Sequence, residues 1–179
     1  VPFDRVERVA VTVHSASSVA LLRVLIGPDV PFVPLQDATI AQALRQVDGV
    51  LLIADEALQG IRAQAAPYAT DLGERWQQLT GLPMVFAVWA ARTAAVAAHA
   101  DRLERLGDII RGASRRHATD PEPLVQAAAE RFPFPADFIR HYFTRLSYDF
   151  GDAERAGLRT FFERAHDAGE LATIPPVTG

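Results

Sequence analysis

"RVAVTVHSASSVALLRVLI", Arg8 to Ile26, is the stretch that decides the fold. Val9, Val11 and Val13 alternate with other residues, the period of a half-buried strand over 8–14. Three serines then follow within four positions: Ser15, Ser17 and Ser18. Ser15 or Ser17 is expected to cap a helix running to about Ile26, where Gly27-Pro28 stops it. The helix is apolar except for Arg23. A strand feeding a helix in this way is half of a β-α-β unit.

The sequence that follows completes the unit. "VPFVPL" (30–35) reads as a short strand with proline at its edges. Residues 37–46 read as a short helix capped by Asp37. "GVLLIAD" (49–55) is an apolar run of the kind a parallel sheet buries on both faces. The β-α-β-α-β rhythm over 8–55 predicts an α/β lobe with a parallel sheet. After a short helix, a loop and an aromatic-bearing segment, "PMVFAVWAAR" (83–92) reads as a second buried strand. Helical periodicity then dominates, with helices expected over 93–112, 121–131, 135–145 and about 152–168. In the last of these, Ala156, Leu158, Phe161, Phe162 and Ala165 fall largely on one face.

Composition narrows the function. The 179 residues are 49% hydrophobic and 22% charged, ordinary for a globular protein with a core. A formal net charge of −4 argues against a nucleic-acid partner. All 18 basic residues are Arg, which excludes a Schiff-base or P-loop lysine. With no Cys, disulfides, thiolate catalysis and Cys-based metal sites are excluded. No apolar run reaches the length of a membrane span, and no membrane partner is expected. The chain opens "VPFDRVERVAV" and its single Met is Met84, so further sequence upstream is expected.

Two clusters carry candidate chemistry. Thr12, Ser15, Ser17 and Ser18 surround a helix N-terminus, which offers free N–H groups and partial positive charge. Hydroxyls there serve either as a plain cap or as part of a seat for a carboxylate or phosphate. The position beyond a strand's carboxyl end favours the seat, because open α/β sheets bind ligands there. Asp55 is read as ending a buried strand on the same sheet edge, to cap the next helix, orient a ligand or act as a base.

The five histidines show no metal-ligand spacing. His14 sits beside the serines, with a structural role at the strand end preferred. His99, His117, His141 and His166 are expected on the surface. "RGASRR" (111–116) reads as a solvated helix end. Trp76, Phe86 and Trp89 either pack in the core, the default for buried aromatics, or line a cleft.

Four segments together resemble one family. They are "RVAVTVHSASSVALLRVLI", "GVLLIADEAL", "YATDLGERWQQLTGLPMVFAVWAAR" and "LSYDFGDAERAGLRTFFERA". In this order they are similar to the chorismate dehydratases of the futalosine route to menaquinone. The resemblance implies a fold like type II periplasmic binding proteins: two α/β lobes joined by crossing strands, with the ligand between them. It implies that residues 6–80 form the second lobe and 81–92 a crossing strand. Residues 93–179 would be a C-terminal helical part packing on a first lobe whose N-terminal segment is absent.

It also implies a cytoplasmic carbon–oxygen lyase acting on a small dicarboxylate, with no metal or organic cofactor. Thr12, Ser15, Ser17, Ser18 and Val19 would contact substrate, and Asp55 would be the catalytic candidate. The family's usual Ser-x-Thr-Ser is Ser15-Ala16-Ser17-Ser18 here, which keeps the hydroxyl. Its usual Gly-Asp-Glu-Ala-Leu is Ala54-Asp55-Glu56-Ala57-Leu58. A sister family that makes dihydroxynaphthoate resembles the chain at the serine-capped helix. That family carries a catalytic His-Glu pair where Asp55-Glu56 stands, which favours the dehydratase. A non-catalytic solute-binding protein of the same fold is the alternative from another class.

Overall fold

The computed structural model describes residues 1–12, 14–35 and 39–177. Val13, Gln36, Asp37, Ala38, Thr178 and Gly179 lie outside the described residues, and with them the expected Asp37 cap, while the strand expected over 8–14 is shorter, Val9–Val11, with Arg8, Thr12 and His14 outside it. Two units make up the chain. One comprises Val1–Ala87 with Phe150–Gly179, the other Val88–Asp149.

The first unit holds three parallel strands, β1 (Val9–Val11), β2 (Phe32–Pro34) and β3 (Gly49–Leu51). Their order is β2-β1-β3, with Val9 opposite Phe32 on one side and Gly49 on the other. All three therefore end at one edge. The chain leaves β1 toward β2 through α1 (Ala16–Ile26) and crosses back to β3 through α2 (Ile40–Ala43). This change of direction makes the gap between the carboxyl ends of β1 and β3 a topological switch point. The helix α2 opens on a capping box: Thr39 Oγ1 accepts from Gln42 N–H, and Gln42 Oε1 accepts from Thr39 N–H.

The helices α3 (Ala54–Arg62), α4 (Leu72–Thr80) and α8 (Asp152–Asp167) complete the unit. The helix α1 is apolar around most of its girth because it is covered on two sides. Val19, Leu22 and Ile26 pack with Val9 and Leu51 of the sheet. Leu21, Val24 and Leu25 pack with Trp76 of α4 and with Phe161 and Ala165 of α8. Trp76 is fully buried, with Phe161 edge-on at 6.0 Å, so it is a core residue as the default reading held. The predicted apolar face of α8 meets this core, and Gly157 lies so close to Leu82-Pro83 that a Cβ there would stand 2.1 Å from the Pro83 carbonyl oxygen. Only glycine permits that approach.

Arg23, the interruption in α1, proves to be a clasp. Its Nη1 donates to the carbonyls of Pro28 at 3.2 Å and Val30 at 2.6 Å, and its Nε to Glu170 at 3.3 Å. The guanidinium carbon sits 3.5 Å from the centre of the Phe32 ring.

In the second unit lie α5 (Thr93–Thr119), α6 (Glu122–Arg131) and α7 (Ala136–Phe143). Val125, Ala128, Phe134 and Ile139 form its buried residues. Arg140 of α7 bonds both Glu122 and Asp137; its guanidinium holds the Glu122 carboxyl below the usual carboxylate range.

Several expectations change. Residues 83–92 form no strand, and Phe86 and Trp89 are 53% and 83% exposed rather than buried. An extended apolar run becomes a strand only by pairing, and none of the three described strands pairs with it. The strand expected over 49–55 stops at Leu51. The helix expected over 93–112 runs to Thr119 with a break at His99, so "RGASRR" lies within α5. His117 is not a surface residue: it is partly buried, with Phe143 edge-on at 5.1 Å. The last helix, α8, packs on α1 within the unit that holds the sheet.

Candidate functional site

At the carboxyl end of β1 the chain enters Thr12, a buried polar residue. Its Oγ1 accepts the N–H of His14 at 3.2 Å. His14 itself is exposed. Ser15 then caps α1: its Oγ accepts the Ser18 N–H at 3.2 Å and donates to Ser18 Oγ at 2.8 Å. The cap is therefore one serine, Ser15, as the simpler reading required. That leaves two hydroxyls beyond what the cap needs. Ser17 is exposed and makes no hydrogen bond among the described residues, and the Ser18 hydroxyl keeps its proton free to donate.

The backbone adds to this. The Val19 N–H, expected to face a ligand, donates to the Ser15 carbonyl at 3.2 Å. The N–H groups of Ala16 and Ser17 have no acceptor among the described residues. No acidic side chain occupies the first turn of α1, so its partial positive charge is not offset there.

The carboxyl end of β3 is built differently. The strand ends at Leu51 and α3 begins at Ala54, which places Asp55 in the first helical turn rather than at a strand end. The N-cap position is Ile53, whose side chain has nothing to accept with. Asp55 is thus not the cap. Its carboxylate is exposed and bonds to nothing among the described residues. Asp55 and Glu56 together compensate the positive end of α3. Ala54 holds φ at +48°, the left-handed region that costs a residue with a Cβ about 1–2 kcal/mol. A glycine, which the resemblance implies as the usual residue here, would adopt that angle without the cost. The sequence offered only the Ala-for-Gly exchange as a signal.

The two junctions thus share one edge of a parallel sheet, flanking its switch point. Thr12, Ser15, Ser17 and Ser18 gather at the β1 junction and Asp55 stands at the β3 junction. Among the described residues no group of three or more His, Asp or Glu side chains stands ready for a metal ion, and no helix is long and apolar enough to cross a membrane.

Comparison with known proteins adds the following. A profile of the family described as menaquinone biosynthesis matches residues 1–167. The chorismate dehydratase of Thermus thermophilus is 32% identical over 173 residues, covering 87% of this chain and 62% of that protein. The 1,4-dihydroxy-6-naphtoate synthase of Streptomyces coelicolor is 32% identical over 111 residues, covering 59% of this chain and 38% of that protein. The chain therefore spans less than two thirds of the length of the curated relatives it matches.

Proposed function

Because the chain belongs to the menaquinone biosynthesis family, we propose that it is the substrate-gripping part of a chorismate dehydratase, a carbon–oxygen lyase of the cytoplasm. The observation that carries this is the β1–α1 junction. Two hydroxyls that the cap does not use, and two N–H groups with no acceptor among the described residues, stand at a helix end with no acidic residue in its first turn. Such a seat suits one carboxylate of a dicarboxylate substrate. The identity to the Thermus dehydratase over 87% of the chain supports the choice of chorismate.

The reaction is a redox-neutral elimination. A base takes the proton at the ring carbon that bears the enol ether. That C–H electron pair becomes a ring double bond. The C–O bond to the allylic hydroxyl breaks, and hydroxide leaves to be protonated to water. The product, 3-[(1-carboxyvinyl)oxy]benzoate, is aromatic, which makes the step downhill. Neither electron transfer nor a cofactor enters this balance.

In this reading Ser17, Ser18 and the N–H groups of Ala16 and Ser17 hold a carboxylate. Thr12 shapes the turn that carries them, and Ser15 fixes the helix end. Asp55 orders the ring by accepting from the allylic hydroxyl, and the substrate's own enolpyruvyl carboxylate takes the proton. The two-lobe architecture, with 6–80 as one lobe and 81–92 as a crossing link, belongs to the same proposal. The exposed apolar residues Phe86, Val88 and Trp89 support it, since a crossing strand needs a partner to cover them.

The sister synthase reading is disfavoured by Asp55, which stands where that family's resemblance calls for His. The test is a chorismate assay by product absorbance with EDTA present, run on the wild type and on Asp55→Asn. Turnover by the full-length parent is expected, and Asp55→Asn in that protein should keep kcat within about tenfold. A loss of about 10²-fold or more would instead make Asp55 a proton-transfer group. Binding of chorismate without turnover would favour a solute-binding protein.

A further inference from the structure

Arg23 does more than close a helix. A residue that only caps the C-terminus of α1 needs the last carbonyls and nothing else. Arg23 reaches those of Gly27 and Pro28 at 3.5 and 3.2 Å, but also Val30 at 2.6 Å, just before β2. It bonds Glu170, three residues past the end of α8, at 3.3 Å. Its guanidinium carbon also sits 3.5 Å from the centre of the Phe32 ring on β2. Its side chain is only 15% exposed, and the Gly27 and Val30 bonds are partly buried, while those to Pro28 and Glu170 lie at the surface. One guanidinium thus joins α1 to the second strand and to the segment behind α8.

The rest of α1 is held by apolar side chains on two faces. Apolar contact is non-directional, and packed helices shift by about 1–2 Å between alternative arrangements. A planar guanidinium with several fixed acceptors does not permit such sliding. Ser15 stands eight residues before Arg23, about 12 Å away along the helix by its rise per residue. Any shift of α1 along its axis moves the serine end by the same amount.

We propose that Arg23 is a positioning residue for the anion seat. Its clasp sets how far α1 extends along its own axis, and so where Ser17 and Ser18 present their hydroxyls. The proposal rests on the reading of that seat as the substrate's carboxylate site.

The test compares wild type, Arg23→Met, Arg23→Lys and Glu170→Gln in the full chain. Amide chemical shifts report α1 without any ligand. In Arg23→Met the peaks of Ser15–Val19 should move together with those near residue 23. Perturbation confined to residues 23–30 and 170 would overturn the proposal. Chorismate titration well below each variant's Tm should show Kd raised about tenfold in Arg23→Met, with kcat held within about threefold. A lowered Tm with unchanged Kd would make the clasp structural only. Arg23→Lys keeps the charge but not the fork and should behave like Met; recovery of wild-type Kd by Lys contradicts the argument. Should Arg23→Met fail to fold, Glu170→Gln breaks one arm alone and should raise Kd about twofold to threefold with smaller shifts at Ser15–Val19; no shift and no change in Kd overturns the proposal. A wild type that does not bind chorismate would reject the substrate, while the amide shifts still decide whether Arg23 sets the register.

Discussion

The β1–α1 and β3–α3 junctions leave one sheet edge in the same sense, yet they solve the turn from strand to helix in opposite ways. At β1–α1 Ser15 is extended with φ at −145°, its side chain satisfies the Ser18 N–H, and no carboxylate offsets the helix end. At β3–α3 the backbone passes through Ala54 at φ +48°, Ile53 caps nothing, and Asp55 and Glu56 supply negative charge. The first junction leaves its helix end uncompensated, and the second offsets its helix end with two carboxylates. On the proposed function, a dianionic substrate at the switch point would lay a carboxylate on α1 and bring its neutral, hydroxyl-bearing side toward α3. Helix N-termini on one sheet edge are not interchangeable; the first-turn side chains decide what each accepts.

The largest way to break this contrast is to remove the support behind α1. Gly157→Ala forces a methyl group onto the Pro83 carbonyl, so α8 must move away from the core that seats α1. Stability should fall by about 3 kcal/mol, read by urea unfolding. A loss under about 0.5 kcal/mol would mean that α8 is free to shift and does not brace α1.

A smaller change separates cap from seat. Ser15→Ala should cost about 1 kcal/mol of stability by removing the acceptor for the Ser18 N–H. Ser17→Ala, at an exposed hydroxyl with no partner among the described residues, should leave stability within about 0.5 kcal/mol. Equal losses in the two variants would erase the distinction between them.

The smallest change acts on the other junction and has the opposite sign. Ala54→Gly removes the Cβ from a left-handed residue and should stabilise the chain by up to about 1 kcal/mol. A destabilised Gly variant would show that the turn is not strained as the angle implies.

Much of this was legible in the sequence, for local reasons. Alternating valines marked β1, a serine cap and Gly27 bounded α1, and Gly27 indeed holds φ at +97°. The apolar face of α8 was readable from its period. The illegible parts depend on partners or on angles. "GVLLIAD" is apolar to its end, yet only Gly49–Leu51 finds β1 to pair with, so the strand stops and Asp55 falls into a helix. "PMVFAVWAAR" has strand chemistry but no described strand beside it. The division of labour among Ser15, Ser17 and Ser18 rests on which hydroxyl faces which N–H, which composition does not encode. Arg23 was visible as an interruption, but its three carbonyl acceptors and Glu170 are gathered only by the fold.

The central claim is that the spare hydroxyls of α1 hold a carboxylate of the substrate. Calorimetric titration of chorismate into the wild type and into the Ser17→Ala, Ser18→Ala double variant tests it most directly. The account predicts binding by the wild type and a loss of about 1–3 kcal/mol in the double variant, the range for hydrogen bonds to a charged group, with the fold retained. Equal affinity in the two proteins would contradict it and leave these serines as no more than the start of a helix.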